Sequence, residues 1–266
     1  MPGWKLAESE HFFLLTDVHG GALLGELLQR LEAIQAVFEA DFPSGQARLS
    51  PQRKRTPKAV VRVFRQPKAY FAHGGPPESA GFWSPASGEL SLLAQKGNRG
   101  LQQTWATLNH EAFHQYIYFH FGGLTPHTWY GEGFGDYYGS YRFVNGRYQR
   151  PMSPFEHSEL DQALLAGNYA DLKAFIYWTK GEYYGNNELG LSPSLAYAQG
   201  CSLIHFLRSG EELFPEGWQS AWDQILPRYQ ETFAATGQPR EALLTAFDGI
   251  NLIALENCWK QFYLTS

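Results

Sequence analysis

The sequence predicts an α+β chain: a small mixed β-sheet with helices in an N-terminal lobe, residues 1–145, followed by a mainly helical lobe, 146–266. Three observations predict it. The chain opens on a strand–helix–strand pattern. A hairpin pattern follows around residues 80–93. After about residue 145 apolar residues recur almost only at helical spacing, between Pro- and Gly-bearing breaks.

The elements follow in order. His11–Thr16 is a short apolar run that fits a strand. Leu23, Leu24, Leu27, Leu28, Leu31, Ile34, Val37 and Phe38 recur every three or four residues, which marks an amphipathic helix ending before Asp41-Phe42-Pro43. Residues 44–57 are polar and Pro-bearing and read as a loop. Ala59–Phe64 is rich in β-branched residues and fits a buried strand. Pro67–His73 reads as a helical or loop piece. Ala80–Ser84 and Glu89–Leu93, separated by Pro85-Ala86-Ser87-Gly88, read as a hairpin. From Leu101 to Phe121 there is no Pro or Gly, and Gly122-Gly123 makes a stop. Trp105, Leu108, Ala112 and Ile117 form the buried stripe of that helix, leaving Asn109 and Gln115 to contact its functional residues or face water. Downstream, Arg150–Pro154 and Lys180–Pro193 read as loops. Helices are expected over Glu159–Ala166, Asp171–Thr179, Ser194–Ser209, Trp218–Arg228, Arg240–Phe247 and Asn251–Tyr263.

Composition narrows the classes. With 44% hydrophobic and 18% charged residues the chain can bury a core and is not disordered. A net charge of −5, with no basic run longer than Arg53-Lys54-Arg55, argues against nucleic acid as a main partner. No stretch approaches the ~20 apolar residues of a membrane span. Met1-Pro2-Gly3-Trp4 has neither the basic start nor the apolar run of a signal peptide, and the compartment is left open. Cys201 and Cys258 sit in apolar helical patterns and read as buried thiols rather than a disulfide framework. The 15 Tyr and 8 Trp suit either an aromatic core or a cleft lined with rings.

The stretch that carries chemistry is His110-Glu111-Ala112-Phe113-His114, an H-E-x-x-H. Residues four apart on a helix share a face, so His110 and His114 can grip one metal ion, and Glu111 projects to the side. A catalytic zinc site takes three protein ligands and keeps an open position. The third donor has to come from elsewhere, and Glu132 in Trp129-Tyr130-Gly131-Glu132-Gly133-Phe134-Gly135-Asp136-Tyr137 lies at a workable distance on a second helix. Asp136, four residues on, shares the face of Glu132 and is placed to accept the free ring N–H of a ligating His. Gly131, Gly133, Gly135 and Gly139 weaken that helix but let a neighbouring helix come close. His120 and His127 read as structural.

H-E-A-F-H-Q followed by W-Y-G-E-G-F-G-D-Y resembles the gluzincins, the zinc metallopeptidases that include thermolysin and the aminopeptidase N type. More narrowly, the chain is similar to bacterial "peptidase MA-like" domains of that clan, through a W-x-x-x-x-S-x-H-F start, a Gly-Phe-aromatic hairpin and a later Y-A-Q-x-x-S-L-I-x-F-L helix. The resemblance implies a zincin-like fold working as one compact catalytic unit. It implies one Zn²⁺ on His110, His114 and Glu132, Glu111 as general base and Asp136 behind the ligands. The spacing to Glu132 is one residue shorter than the aminopeptidase pattern and G-x-M-E-N is absent, so an endopeptidase is expected rather than an aminopeptidase. Gly81, Phe82 and Trp83, on the edge strand before the metal helix, are the candidates for pairing with extended substrate.

By this reading the metal activates a water, Glu111 takes its proton and passes it to the leaving amine, and a phenol stabilises the oxyanion. Tyr197 is the first choice for that phenol, with Tyr137, Tyr138 and Tyr184 as alternatives. The substrate is then a peptide or protein, and the chain is expected to act as a monomer. The competing expectation is an inactive zincin-like module that binds peptide or glycan without cleaving it.

Overall fold

Alternation decides the first strands. In the computed structural model, which describes residues 3–19, 21–43, 58–150 and 158–264, strand β2 (Phe12–Thr16) turns Phe12, Leu14 and Thr16 inward at period two. The expected loop over 44–57 lies outside the described residues, as does the part of the 150–154 loop from residue 151 on. Strand β1 (Lys5–Glu8) pairs antiparallel with β2. It has no sequence signal of its own, because three of its four residues are exposed. Helix α1 (Gly21–Asp41) buries Leu27, Leu31, Ile34 and Phe38 along one stripe and carries the chain over to strand β3 (Ala59–Phe64), which runs parallel to β2. After the short helix α2 (Pro67–Ala72) come strands β4 (Gly81–Ser84) and β5 (Glu89–Leu93), the expected hairpin. The sheet order is β1-β2-β3-β5-β4, with β3 and β5 parallel, so the sheet is mixed and β4 is an edge. The chain is thus α+β with a small mixed sheet.

Arg62 on β3 clamps Glu89 on β5 through two hydrogen bonds, Nε to Oε2 at 2.8 Å and Nη2 to Oε1 at 2.9 Å. Those bonds, ahead of the opposing effect of burial, hold the Glu89 carboxyl below its ordinary range. A carboxyl with a depressed folded pKa stabilises the protein fully above its unfolded value of about 4.3, and that contribution disappears as pH falls through the lower folded value. The urea midpoint of Glu89→Gln is therefore expected to lie below wild type at pH 7 and to converge with it in acid. A gap that persists at low pH would rule out the charge-assisted clamp.

Helix α3 (Gly97–His120) lies against β4 and β5, starting four residues earlier than its Gly-free stretch suggests. It buries Trp105, Leu108, Ala112 and Ile117 as expected, and Gly122 and Gly123 end it at φ 72° and 91°. Asn109 and Gln115 do not face water. Both are buried: Asn109 Nδ2 donates to Tyr138 O at 3.1 Å, and Gln115 Nε2 donates to Val60 O at 3.1 Å, tying the helix to strand β3. Helix α4 (Thr128–Gly139) is followed by a small hairpin, β6 (Arg142–Val144) and β7 (Arg147–Gln149), where no strands were expected. Its signal was present: Asn145 and Gly146 both have positive φ, 51° and 79°, the geometry an Asn-Gly hairpin turn requires.

The chain divides into two compact units, Met1–Leu124 with Tyr138–Arg150, and Thr125–Tyr137 with Pro151–Ser266. The boundary near 145 predicted from sequence is therefore displaced: most of α4 groups with the second unit and its last turn with the first. The reason is a close helix crossing inside the second unit. A Cβ built on Gly133 would lie 2.7 Å from Gly200 O, so α4 and helix α8 (Pro193–Leu213) touch backbone to backbone. The glycine thus serves contact with α8, whereas Gly139 sits against Ala106 O of α3 at 3.2 Å. Helix α8 starts at a Ser192 cap with Pro193 in its first turn, and is buried over most of Leu195–Gly210. Helices α5 (Ser158–Ala166), α7 (Lys180–Tyr183) and α11 (Leu252–Leu264) pack on it, α6 (Leu172–Phe175) packs on α11, and α9 (Ile225–Thr236) packs on α10 (Pro239–Ala246). Two expectations shift here. Residues 180–183 form a helical turn rather than a loop, because Thr179 and Glu182 make a reciprocal capping box. The helix expected over Trp218–Arg228 is a 3₁₀ stretch at Ser220–Gln224 that passes into α9. Cys201 and Cys258 are free and buried, as the sequence suggested. Among the described residues no helix is long and apolar enough to cross a membrane.

Candidate metal centre

The 3.6-residue period of α3 turns Trp105, Leu108 and Ala112 into the core and leaves His110, Glu111 and His114 half-buried on adjoining faces. The two imidazoles converge: His114 Nε2 lies 2.9 Å from His110 Nε2, with the rings inclined at 68°. Two ring nitrogens this close cannot both aim a proton at each other. Two nitrogens bound tetrahedrally to one zinc ion at ~2.0–2.1 Å would sit roughly 3.3 Å apart, so the pair is close to metal-binding geometry.

Glu132 stands on α4. The last turn of that helix is fixed in the first unit by the Asn109 bond to Tyr138 O and by Gly139, whose added Cβ would lie 4.0 Å from His110 Cβ. One carboxylate oxygen of Glu132 and one nitrogen from each of His110 and His114 all lie within 4.8 Å of one another. Two imidazoles and one carboxylate form the three-donor set that zinc takes when a position is kept open for chemistry. The donors therefore fit a divalent ion of that kind.

Glu111 is not a member of this group. Its Oε2 accepts a hydrogen bond from Trp83 N at 2.9 Å, so the carboxylate is oriented by the edge strand. Strand β4 can lie this close because residue 81 is Gly. A Cβ there would be 2.6 Å from Thr107 Cγ2 and 3.2 Å from Glu111 Cγ. Leu93 N donates to Ala80 O at 2.8 Å, which fixes the alternation of the β4–β5 pair. Phe82 and Ser84 then turn their backbone groups to β5, and Gly81 and Trp83 turn theirs to the edge. The Phe82 ring packs on Tyr70, and the Trp83 ring on Tyr118 and Phe119.

The tyrosine expectations resolve into a chain of contacts within the second unit. Tyr197 OH donates to Tyr184 OH at 2.8 Å, and Tyr184 OH donates to Glu132 Oε1 at 3.3 Å. The first-choice residue, Tyr197, is thus one phenol removed from the carboxylate that its alternative, Tyr184, touches. Burial, then the Glu132 charge, pushes the Tyr197 phenol far above its ordinary range and keeps it a donor. The other two alternatives are engaged elsewhere: Tyr138 OH donates to Asp41 Oδ2 at 2.6 Å, and the Tyr137 ring packs against His205. Tyr183, fully buried, is raised chiefly by desolvation and also by the charges of Glu132 and Asp136. Asp136 faces Tyr183 and Cys201 closely enough for its charge to raise both groups.

His120 is buried and stacks on Tyr116, and His127 N donates to Tyr229 OH at 2.7 Å, with burial lowering the His127 imidazole. Neither belongs to the three-donor group. What the sequence reading missed is the pairing of Tyr184 with Glu132. The capping box in Thr179-Lys180-Gly181-Glu182 marks the turn just before Tyr184 but carries no signal for its partner. A scan against protein-family models gives no match to this chain, and a search of curated protein sequences gives no significant match either.

Proposed function

We propose that this protein is a zinc-dependent metallopeptidase of gluzincin type, acting as an endopeptidase on peptide or protein substrates. One observation carries the reading: His110, His114 and Glu132 offer three converging donors while Glu111, next to His110 in sequence, holds its carboxylate against the edge strand. The mixed sheet ending on an edge strand, with the H-E-x-x-H helix laid against it, also supports a zincin-like arrangement.

His110, His114 and Glu132 would hold the ion, and a bound zinc would supply a Lewis acid that lowers the pKa of water from ~15.7 to ~7. Glu111 takes the proton of the attacking water at its carboxylate and returns it to the leaving amine nitrogen. The Trp83 N–H keeps that carboxylate in one orientation between these two transfers. Gly81, and Trp83 through its carbonyl, turn backbone groups to the sheet edge, where an extended peptide can add as a further strand. Phe82 anchors that strand through its contact with Tyr70. Tyr197 and Tyr184 are the phenol donors within reach of the ligand set, available to a developing oxyanion when either turns from its present partner. Asp136, on the same helix face as Glu132, is the candidate to orient a ligating imidazole.

A second reading rests on the same Glu111 contact. A carboxylate bonded to backbone is also what a module that binds peptide or glycan without cleaving it would hold. Elemental analysis combined with a peptide-library digest separates the two. The peptidase should carry one zinc per chain, cleave internal bonds, lose cleavage on chelation and regain it with added zinc. Zinc without turnover would favour the binding module, and absence of zinc would remove the peptidase.

A further inference from the structure

We infer that Tyr184 is a positioning residue that holds Glu132 in the metal centre through one carboxylate oxygen, with Tyr197 holding Tyr184 in turn; this rests on the metal-centre reading above. The two contacts have a fixed direction. Tyr197 OH donates to Tyr184 OH at 2.8 Å, which leaves the Tyr184 proton for Glu132 Oε1 at 3.3 Å. One oxygen of Glu132 therefore accepts the phenol hydrogen bond, which fixes how the carboxylate is presented to a cation. A carboxylate held in this way binds an ion through a single oxygen, and so preserves the open position that a three-ligand centre needs.

The surroundings fit Tyr184 to the task. The capping box at Thr179 and Glu182 sets the helical turn that ends just before it, and Gly185 at φ 103° turns the chain away directly after. The ring lies 5.9 Å from that of Tyr197, and Lys180 Nζ sits 5.4 Å from its centroid. Tyr183, the preceding residue, takes no part in this chain of donors. Its hydroxyl is fully buried, has no hydrogen-bond partner and lies 2.1 Å from where a Cβ on Gly200 would be. The two neighbouring tyrosines thus divide their roles: Tyr183 fills the helix crossing, and Tyr184 reaches the carboxylate. Because Tyr184 is 45% exposed, removing its hydroxyl leaves the core of the unit intact.

The test is metal binding by the full chain, with zinc and cobalt(II) as probes, for wild type, Tyr184→Phe and Tyr197→Phe. Loss of a group that orients a ligand weakens metal affinity by about 10- to 100-fold. Tyr184→Phe is expected at the lower end of that range, and Tyr197→Phe, whose hydroxyl bonds Tyr184 rather than the carboxylate, should lose less. The visible bands of the cobalt protein should weaken in Tyr184→Phe, as the freed second oxygen joins the ion and raises its coordination number, with an unchanged circular dichroism spectrum. Wild-type affinity and an unchanged cobalt spectrum in Tyr184→Phe would overturn this inference while leaving the metal centre standing. A wild-type chain that binds neither ion would overturn the metal centre and this inference together.

Discussion

Glu111→Gln is expected to retain zinc and lose peptide cleavage by roughly 10²- to 10⁴-fold, the contribution of a positioned general base. Glu111 is outside the three-donor group, so its charge is not needed to hold the ion. The amide keeps the length of the side chain, and its oxygen can still accept from Trp83 N, so the contact between α3 and the edge strand survives. What the variant cannot do is take up a proton. Zinc content by elemental analysis and cleavage of an internally quenched peptide are the two measurements. Unchanged turnover would refute the mechanism, and loss of both zinc and turnover would show that Glu111 is needed to build the centre. Equal peptide binding by both proteins, with turnover in neither, would favour the binding module.

Gly133→Ala is expected to destabilise the protein, although Ala is the better helix former by about 1 kcal/mol. The new methyl would sit 2.7 Å from Gly200 O and 2.9 Å from Ile204 Cγ1. The first of these is backbone inside a buried helix and cannot turn aside. Overpacking of this kind costs about 1–3 kcal/mol, and with the clash falling on backbone the upper part of that range outweighs the propensity gain. A net loss of about 1–2 kcal/mol corresponds to a melting temperature lower by roughly 2–8 °C. Zinc affinity should fall as well, because Glu132 is the adjacent residue and moves with the helix. Gly25→Ala supplies the control. It lies in helix α1 with nothing within 4 Å of an added Cβ, so there the propensity gain should appear unopposed. A higher melting temperature for Gly133→Ala would show that α4 and α8 can separate without penalty.

Much of the first unit was legible because its signals are local. The β-branched run at Ala59–Phe64, the apolar stripe of α1 and the Gly-free stretch of α3 each state their own conformation. Strand β1 was not legible, since Lys5–Glu8 is a strand only because β2 offers it a partner. Asn145-Gly146 was legible and went unread. The Gly-rich α4 was correctly placed as a helix, but the partner of Gly133 could not be known before α8 was seen against it. For the candidate site, the spacing of His110 and His114 was enough to bring their nitrogens together, because four residues make about one turn of helix. Tyr184 was one alternative among four, and sequence separation says nothing about which phenol meets a carboxylate 52 residues away.

By itself, then, the sequence determined the long helices α1, α3 and α8, the β4–β5 hairpin and the H-E-x-x-H face, all set by contacts a few residues apart. The tertiary structure alone decided that Glu111 answers to Trp83 N–H, that α4 crosses α8 at paired glycines, and that Glu132 is held by Tyr184. Those three depend on distances between side chains far apart along the chain, which packing fixes and local periodicity does not encode.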